Sequence, residues 1–143
     1  MSSIDEILSK YKWNKRTNKI DFDFKIIEEQ IGFPLPQDYK NYLIQYCENE
    51  NLIGQEYVRL WSVENLLEWN LDFQIFEFLP KTIAIGDNGN GEFIGIEFTQ
   101  DYKYEIILST FTDLDPEYNI QIGKSFTDFI EKLNKGETWF NEK

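Results

Sequence analysis

The stretch IAIGDNGNGEFIGIEF, residues 83–98, constrains the fold more than any other part of the chain. Two apolar runs, Thr82–Gly86 and Phe93–Phe98, flank a tip made of Asp87, Asn88, Gly89, Asn90, Gly91 and Glu92. Asn-Gly steps supply the positive-φ positions that a tight hairpin requires. The two runs therefore read as antiparallel neighbours. Two other chemistries are set aside first. A Walker loop needs a lysine after its last glycine to neutralise phosphate, and here Glu92 follows Gly91. A dinucleotide loop runs G-x-G-x-x-G into a helix, whereas this order is reversed and leads into a β-like run. Asp87 and Glu92 would also repel phosphate. An EF-hand loop needs alternating oxygen ligands and a late bidentate glutamate between helices. Gly89 and Gly91 break that alternation, and no helix flanks the loop. What remains is a turn whose polar tip is a candidate contact.

Around this hairpin the chain divides into blocks. Ser3-Ile4-Asp5-Glu6 has the form of a capping box, and Ile4, Ile7, Leu8 and Tyr11 then share a helical face. Lys10, Lys12, Lys15, Arg16 and Lys19 follow as a basic connector, read as a solvated loop. Asp21 or Asp23 caps a second helix with Phe24, Ile27 and Ile31 on its stripe and Gly32 after its end. Pro36 is placed at the first position of a third helix, on which Tyr39, Tyr42, Leu43 and Tyr46 recur at i, i+3, i+4, i+7. Such a tyrosine stripe reads as core with wet hydroxyl tips. Glu48-Asn49-Glu50-Asn51 reads as a loop, and Tyr57 to Trp61 as a strand. Ser62 caps another helix carrying Val63, Leu66 and Leu67, and Trp69 to Leu79 fits no single pattern. Lys103–Ser109 is a third strand, buried on both faces because Ile106, Ile107 and Leu108 are continuous. Asp113-Leu114-Asp115-Pro116 is a turn, and Tyr118–Ile122 a short last strand. Ser125 with Asp128 caps a helix lined by Phe126, Phe129, Ile130 and Leu133 and ended by Gly136. Helices open the chain, a sheet fills the middle, and a helix closes it. This segregation predicts an α+β fold in one domain spanning residues 1–143, with a core of about 22–135.

Composition narrows the chemistry. Histidine is absent, which removes Ser-His-Asp and Cys-His catalysis and imidazole zinc sites. Cys47 is the single cysteine and reads as a small buried helix residue rather than a nucleophile. No metal and no cofactor is expected. No apolar run approaches the roughly 20 residues of a membrane span, and the N-terminus lacks a signal-peptide h-region. A cytoplasmic protein without membrane contact is the expectation. Net charge is −12, spread unevenly: residues 1–19 hold five basic and two acidic side chains, the rest nine and 24. An acidic body repels nucleic acid and steers a basic partner inward. Acidity for solubility alone is the plainer alternative. With 26 acids some pair always sits close, so no carboxylate pair is singled out as catalytic.

The segment Ile27–Leu43, IEEQIGFPLPQDYKNYL, resembles the signature of the SUKH superfamily, the Smi/Knr relatives of a fungal cell-wall-assembly regulator. Its pattern is an acidic helix, a glycine, Leu-Pro, an acid-tyrosine pair and an aromatic helix. Leu60-Trp61-Ser62 is similar to the family's strand-to-helix junction, residues 83–98 to its central hairpin, and Ser125–Ile130 to its closing helix. The likeness runs from about Phe24 to Leu133. One departure is the acidic Glu48–Asn51 where many relatives are glycine-rich. The resemblance implies a single, mostly antiparallel sheet packed by N-terminal, middle and C-terminal helices. It also implies a function: bacterial members typically are immunity proteins that bind and block a toxin domain of a polymorphic or contact-dependent system, often a nuclease.

The leading expectation is therefore a non-enzymatic immunity protein that neutralises a cognate, basic toxin domain by stoichiometric binding. An adaptor in cell-wall or envelope regulation is the second reading, and a carboxylate-dependent hydrolase the third. The expected contacts are the acids Glu48, Glu50, Asp87, Glu92, Asp113, Asp115 and Glu117, with Asn88 and Asn90 adding hydrogen bonds. Trp61 is either an aromatic anchor or a core tryptophan.

Overall fold

The computed structural model describes residues 3–18 and 20–139, with the Ser3 side chain left out. The Ser3 capping hydroxyl and Lys19 thus lie outside the described residues. Helices α1 (Ser3–Lys10), α2 (Lys25–Ile31) and α3 (Gln37–Gln45) open the chain. A hairpin, β1 (Asn49–Ile53) and β2 (Glu56–Leu60), leads into α4 (Val63–Asp72) and the one-turn α5 (Ile75–Phe78). Strands β3 (Thr82–Asp87), β4 (Glu92–Phe98) and β5 (Tyr104–Thr110) follow, then a 3-10 turn (Pro116–Tyr118), β6 (Ile120–Gly123) and α6 (Phe126–Asn134). Among the described residues six strands form one sheet in chain order, every neighbour antiparallel. The chain is α+β, and its strands are consecutive because short turns join most of them.

Several local readings change. Glu48–Asn51 is not simply a loop, since β1 begins at Asn49. An edge strand needs only one hydrogen-bonded side. Here the middle three residues of β1 are exposed and only Asn49 and Ile53 turn inward, so no apolar alternation marks it. Pro36 sits one residue earlier than expected, as the N-cap of α3. The Trp69–Leu79 run holds two helices, because Gln74 adopts a left-handed φ of 59° and breaks them apart. In the basic connector Lys10, Lys12 and Lys15 are exposed as expected, but Arg16 is docked. Arg16 donates to both Glu64 carboxylate oxygens at 2.8 and 2.7 Å, and its backbone N–H to the Gln45 carbonyl. The guanidinium bond holds the Glu64 carboxyl down at about 2. Cys47 lies just past α3 and is half-buried.

The signature segment is a clamp. Glu28 on α2 accepts the Leu35 N–H at 2.7 Å and pairs with Lys40 at 2.8 Å, fixing the Leu-Pro turn. Asp38 accepts the Tyr39 N–H with one oxygen, and the Thr127 N–H and hydroxyl with the other, at 2.8 to 2.9 Å. It thereby caps α6 across 89 residues of sequence, beside the local cap in which Ser125 accepts the Asp128 N–H. Tyr39 lies edge-on to Phe126 at 5.2 Å. The stripe does not keep wet tips: Tyr39, Tyr42 and Tyr46 are all buried. The Tyr42 hydroxyl accepts the Trp13 indole N–H at 2.8 Å, and Tyr46 donates to Asp5 at 2.8 Å. The Tyr39 hydroxyl has no partner among the described residues.

Two stability measurements follow. Tyr39→Phe removes a buried, unbonded hydroxyl and should raise unfolding free energy by about 1 kcal/mol, whereas Tyr46→Phe should lower it by a similar amount. Urea unfolding of both variants checks the opposite signs. On β4 and β5, Glu97 and Glu105 face each other in register. Burial first, and the Glu105 charge second, raise the Glu97 pKa. A raised native pKa means the fold binds that proton more tightly. Its favourable contribution is complete below the unfolded carboxylate range and lost as pH rises through the native pKa. Glu97→Gln should therefore raise the melting temperature at about pH 7, with the gain shrinking toward about pH 3.

Candidate protein-binding face

One row of residues crosses the sheet. Glu50 on β1 pairs with Arg59 on β2, Arg59 with Asp87 on β3, and Asp87 with Phe93 on β4. Directly paired residues project to the same face. Arg59 Nε donates to Asp87 Oδ2 at 3.0 Å, and the Trp61 indole Nε1 donates to that oxygen, also at 3.0 Å. Asp87 Oδ1 accepts the Gly89 N–H at 2.9 Å. The Asp87 hydrogen bond raises the Arg59 pKa, with the charges of Asp87, Glu48 and Glu50 adding to it. Glu48 and Glu50 are thus electrostatic neighbours of the Arg59–Asp87 pair.

The hairpin tip is tied to itself. The Asn88 side-chain oxygen accepts the Asn90 N–H at 2.9 Å, and its amide nitrogen donates to Glu92 at 2.8 Å. Gly89 and Gly91 take φ of 72° and 86°, the positive values expected of them. A Cβ on Gly89 would stand 3.1 Å from the Tyr57 ring. The β5–β6 loop lies beside the tip: the Phe111 N–H donates to the Gly91 carbonyl, and Glu92 pairs with Thr110. Asp115 in that loop accepts the Glu117 N–H and starts the 3-10 turn.

The residues singled out from the sequence thus converge on neighbouring strands and turns, but they divide by burial. Glu48, Glu50, Asn90, Asp113, Asp115 and Glu117 are exposed, and Glu92 is half-buried. Asp87, expected among the exposed acids, is only 5% exposed, and Asn88 only 8%. Their oxygens are consumed by the tip's own N–H groups and by Arg59 and Trp61. Trp61 is 2% exposed and belongs to the core. Sequence reasoning missed Arg59, whose partner lies 28 residues on. It also missed Phe73, Phe78 and Phe111; the first two lie in the aromatic run Trp69–Leu79 that no helix stripe explains, and Phe111 follows the last residue of β5 with no periodic signal. Among the described residues no three Cys, Asp or Glu converge as metal ligands, and no helix is long and apolar enough to cross a membrane.

Comparison with known proteins adds a family. The family described as SMI1 / KNR4 family (SUKH-1) matches residues 21–132. The chain is also similar to the uncharacterized protein YnaB of Bacillus subtilis (strain 168), at 24% identity over 117 residues, covering 79% of this chain and 76% of that one. The buried Ile4, Leu8, Trp13 and Trp139 lie outside the matched residues yet belong to the same core cluster.

Replacing Asp87 tests the support beneath this face. Asp87→Ala strands the buried Trp61 indole N–H and the Gly89 N–H and should cost about 2–4 kcal/mol. A shift of indole fluorescence at low denaturant, relative to Glu50→Ala with a near-neutral effect, checks it.

Proposed function

The chain belongs to the SMI1/KNR4 family, and from that premise we propose that it is a non-catalytic immunity protein that neutralises a toxin domain by binding it. The observation that carries this reading is the distribution of charge. A net −12 body exposes Glu48, Glu50, Asp113, Asp115 and Glu117 around the β1–β2 hairpin and the β5–β6 loop. Toxins that cleave nucleic acid hold a phosphate backbone with lysine and arginine. An acidic surface of this kind accelerates encounter with such a cleft and forms charge-assisted hydrogen bonds inside it. The absence of histidine from all 143 residues is consistent with action by coverage rather than turnover. The exposed acids named above, with Asn90 and Glu92, are the proposed contacts. Asp87, Asn88 and Trp61 act beneath them by fixing the tip and its aromatic support.

Co-expression of the chain with a toxin domain encoded beside its own gene should restore growth, and the purified pair should form a one-to-one complex. Raising salt from about 50 to about 500 mM should slow association far more than dissociation. A joint Glu48→Lys, Glu50→Lys and Asp113→Lys variant that protects as well as the parent would refute the acidic-face mechanism.

A further inference from the structure

We propose that the groove between the α4–α5 corner and the β5–β6 loop seats one aromatic or bulky aliphatic side chain of a protein partner, flanked in that partner by lysine or arginine. The proposal rests on the protein-binding reading above and names the chemistry of what is bound. The groove has a volume of about 340 Å³ and is lined by Phe73, Gln74, Phe78, Phe111, Asp113 and Leu114 among others. Among its polar lining of Gln74, Thr112 and Asp113 stand aromatic rings, two of which are held in place by the fold. Phe73 and Phe111 lie 4.4 Å apart between ring centroids. Both stack on Trp61, at 6.3 and 6.4 Å, and Phe111 also meets Phe93 at 5.3 Å. Trp61 cannot turn away, because Asp87 holds its indole N–H and Trp69 meets it edge-on. The left-handed Gln74 turns the chain so that Phe73 and Phe78 both line the groove. Rings fixed by the fold lose little further freedom on binding, which favours affinity.

Exposed apolar side chains cluster at this corner. Leu71, Phe73 and Phe78 are 53%, 43% and 51% exposed within eight consecutive residues. An exposed cluster of this kind with a polar rim marks a contact site. Asp113 is the one charged residue lining the groove, and the segments that supply its walls, residues 63–80 and 110–119, carry seven Asp or Glu and no Lys or Arg. One of the seven, Glu64, is already paired with Arg16. A second copy of this chain is a poor occupant, since it would set acid against acid at −12 each. Nucleic acid is repelled by the same field. A basic segment with an apolar anchor satisfies both the floor and the rim.

The test uses the whole chain, labelled with nitrogen-15, and the peptide acetyl-Lys-Trp-Lys-amide, with acetyl-Glu-Trp-Glu-amide as control. The basic peptide should cause saturable amide shifts confined to residues 71–78 and 111–115, and the acidic control none. Phe78→Ser and Asp113→Lys, both exposed positions, should each weaken the basic peptide about tenfold. Shifts spread over the surface, shifts centred elsewhere, or equal binding by both variants would overturn the groove. In parallel, Phe78→Ser should lose protection against the toxin domain in cells. Retained protection would overturn the groove as the partner site and leave the immunity reading intact. Failure of the parent chain to protect, with the peptide still seated, would remove the immunity reading and leave the groove.

Discussion

The structure depends on how β3 is closed where β2 leaves it. These strands pair only at Arg59–Asp87 and Leu60–Gly86, with one further bond from the Trp61 N–H to the Ile85 carbonyl. The chain then turns out of the sheet into α4, so the ladder edge of β3 at Ala84 faces no strand. Asn70 fills the gap. Its side-chain oxygen accepts the Ala84 N–H at 2.7 Å, and its amide nitrogen donates to the Ala84 and Leu66 carbonyls at 2.8 Å. A fully buried carboxamide thus stands in for a missing strand. An unsatisfied peptide group there would cost on the order of 1–3 kcal/mol per atom. The same divergence gives α4 and α5 their room, and with it the aromatic corner at Phe73. A slip in register between β3 and β4 occurs at the same place, between Ala84 and Gly86, leaving Ile85 unpaired on that side.

The segment that carries the resemblance also holds the fold. Glu28, Leu35, Asp38 and Tyr39 pin α2, the Leu-Pro turn, α3 and α6 to one another. None of these residues lines the candidate face. The signature thus belongs to the scaffold, and the contacts proposed for a partner, such as Glu48, Glu50 and Asp113, are exposed positions outside it. Function lives in sites grafted on a fold, and this separation is a local instance of it.

The same division explains what was legible in the sequence. Strands with continuous apolar runs, such as Ile106–Leu108, and helices with a clear stripe, such as Phe126–Leu133, follow from periodicity. So do the positive-φ glycines of the hairpin. The edge strand β1 does not, because exposure on most of its residues removes the pattern that burial would impose. The Gln74 break is equally silent, since no Gly or Pro announces it. For the site, spacing placed Asp87, Asn88 and Glu92 at one tip but could not distinguish an acid turned outward from one consumed by local N–H groups. That distinction requires Arg59 and Trp61, which only the pairing of β2 with β3 brings within reach. Tyrosine hydroxyl partners were hidden for the same reason: Trp13 and Asp5 come from the N-terminal segment, far from α3 in sequence.

Burial of Asp87 changes what the acidic surface can do. A carboxylate bonded to a guanidinium, an indole and a backbone amide has few lone pairs left for a partner. It acts by keeping Trp61 upright and Arg59 in plane. Arg59, 41% exposed at its side chain, then presents a cation between Glu50 and Glu48. This local cation limits repulsion between those acids. On the proposed binding reading, encounter with a basic partner would gain from the long-range excess of negative charge, and the fixed rings beside it would set the register of docking at short range. Charge and shape are supplied by different residues, so the exposed acids are free to vary without loosening the aromatic wall.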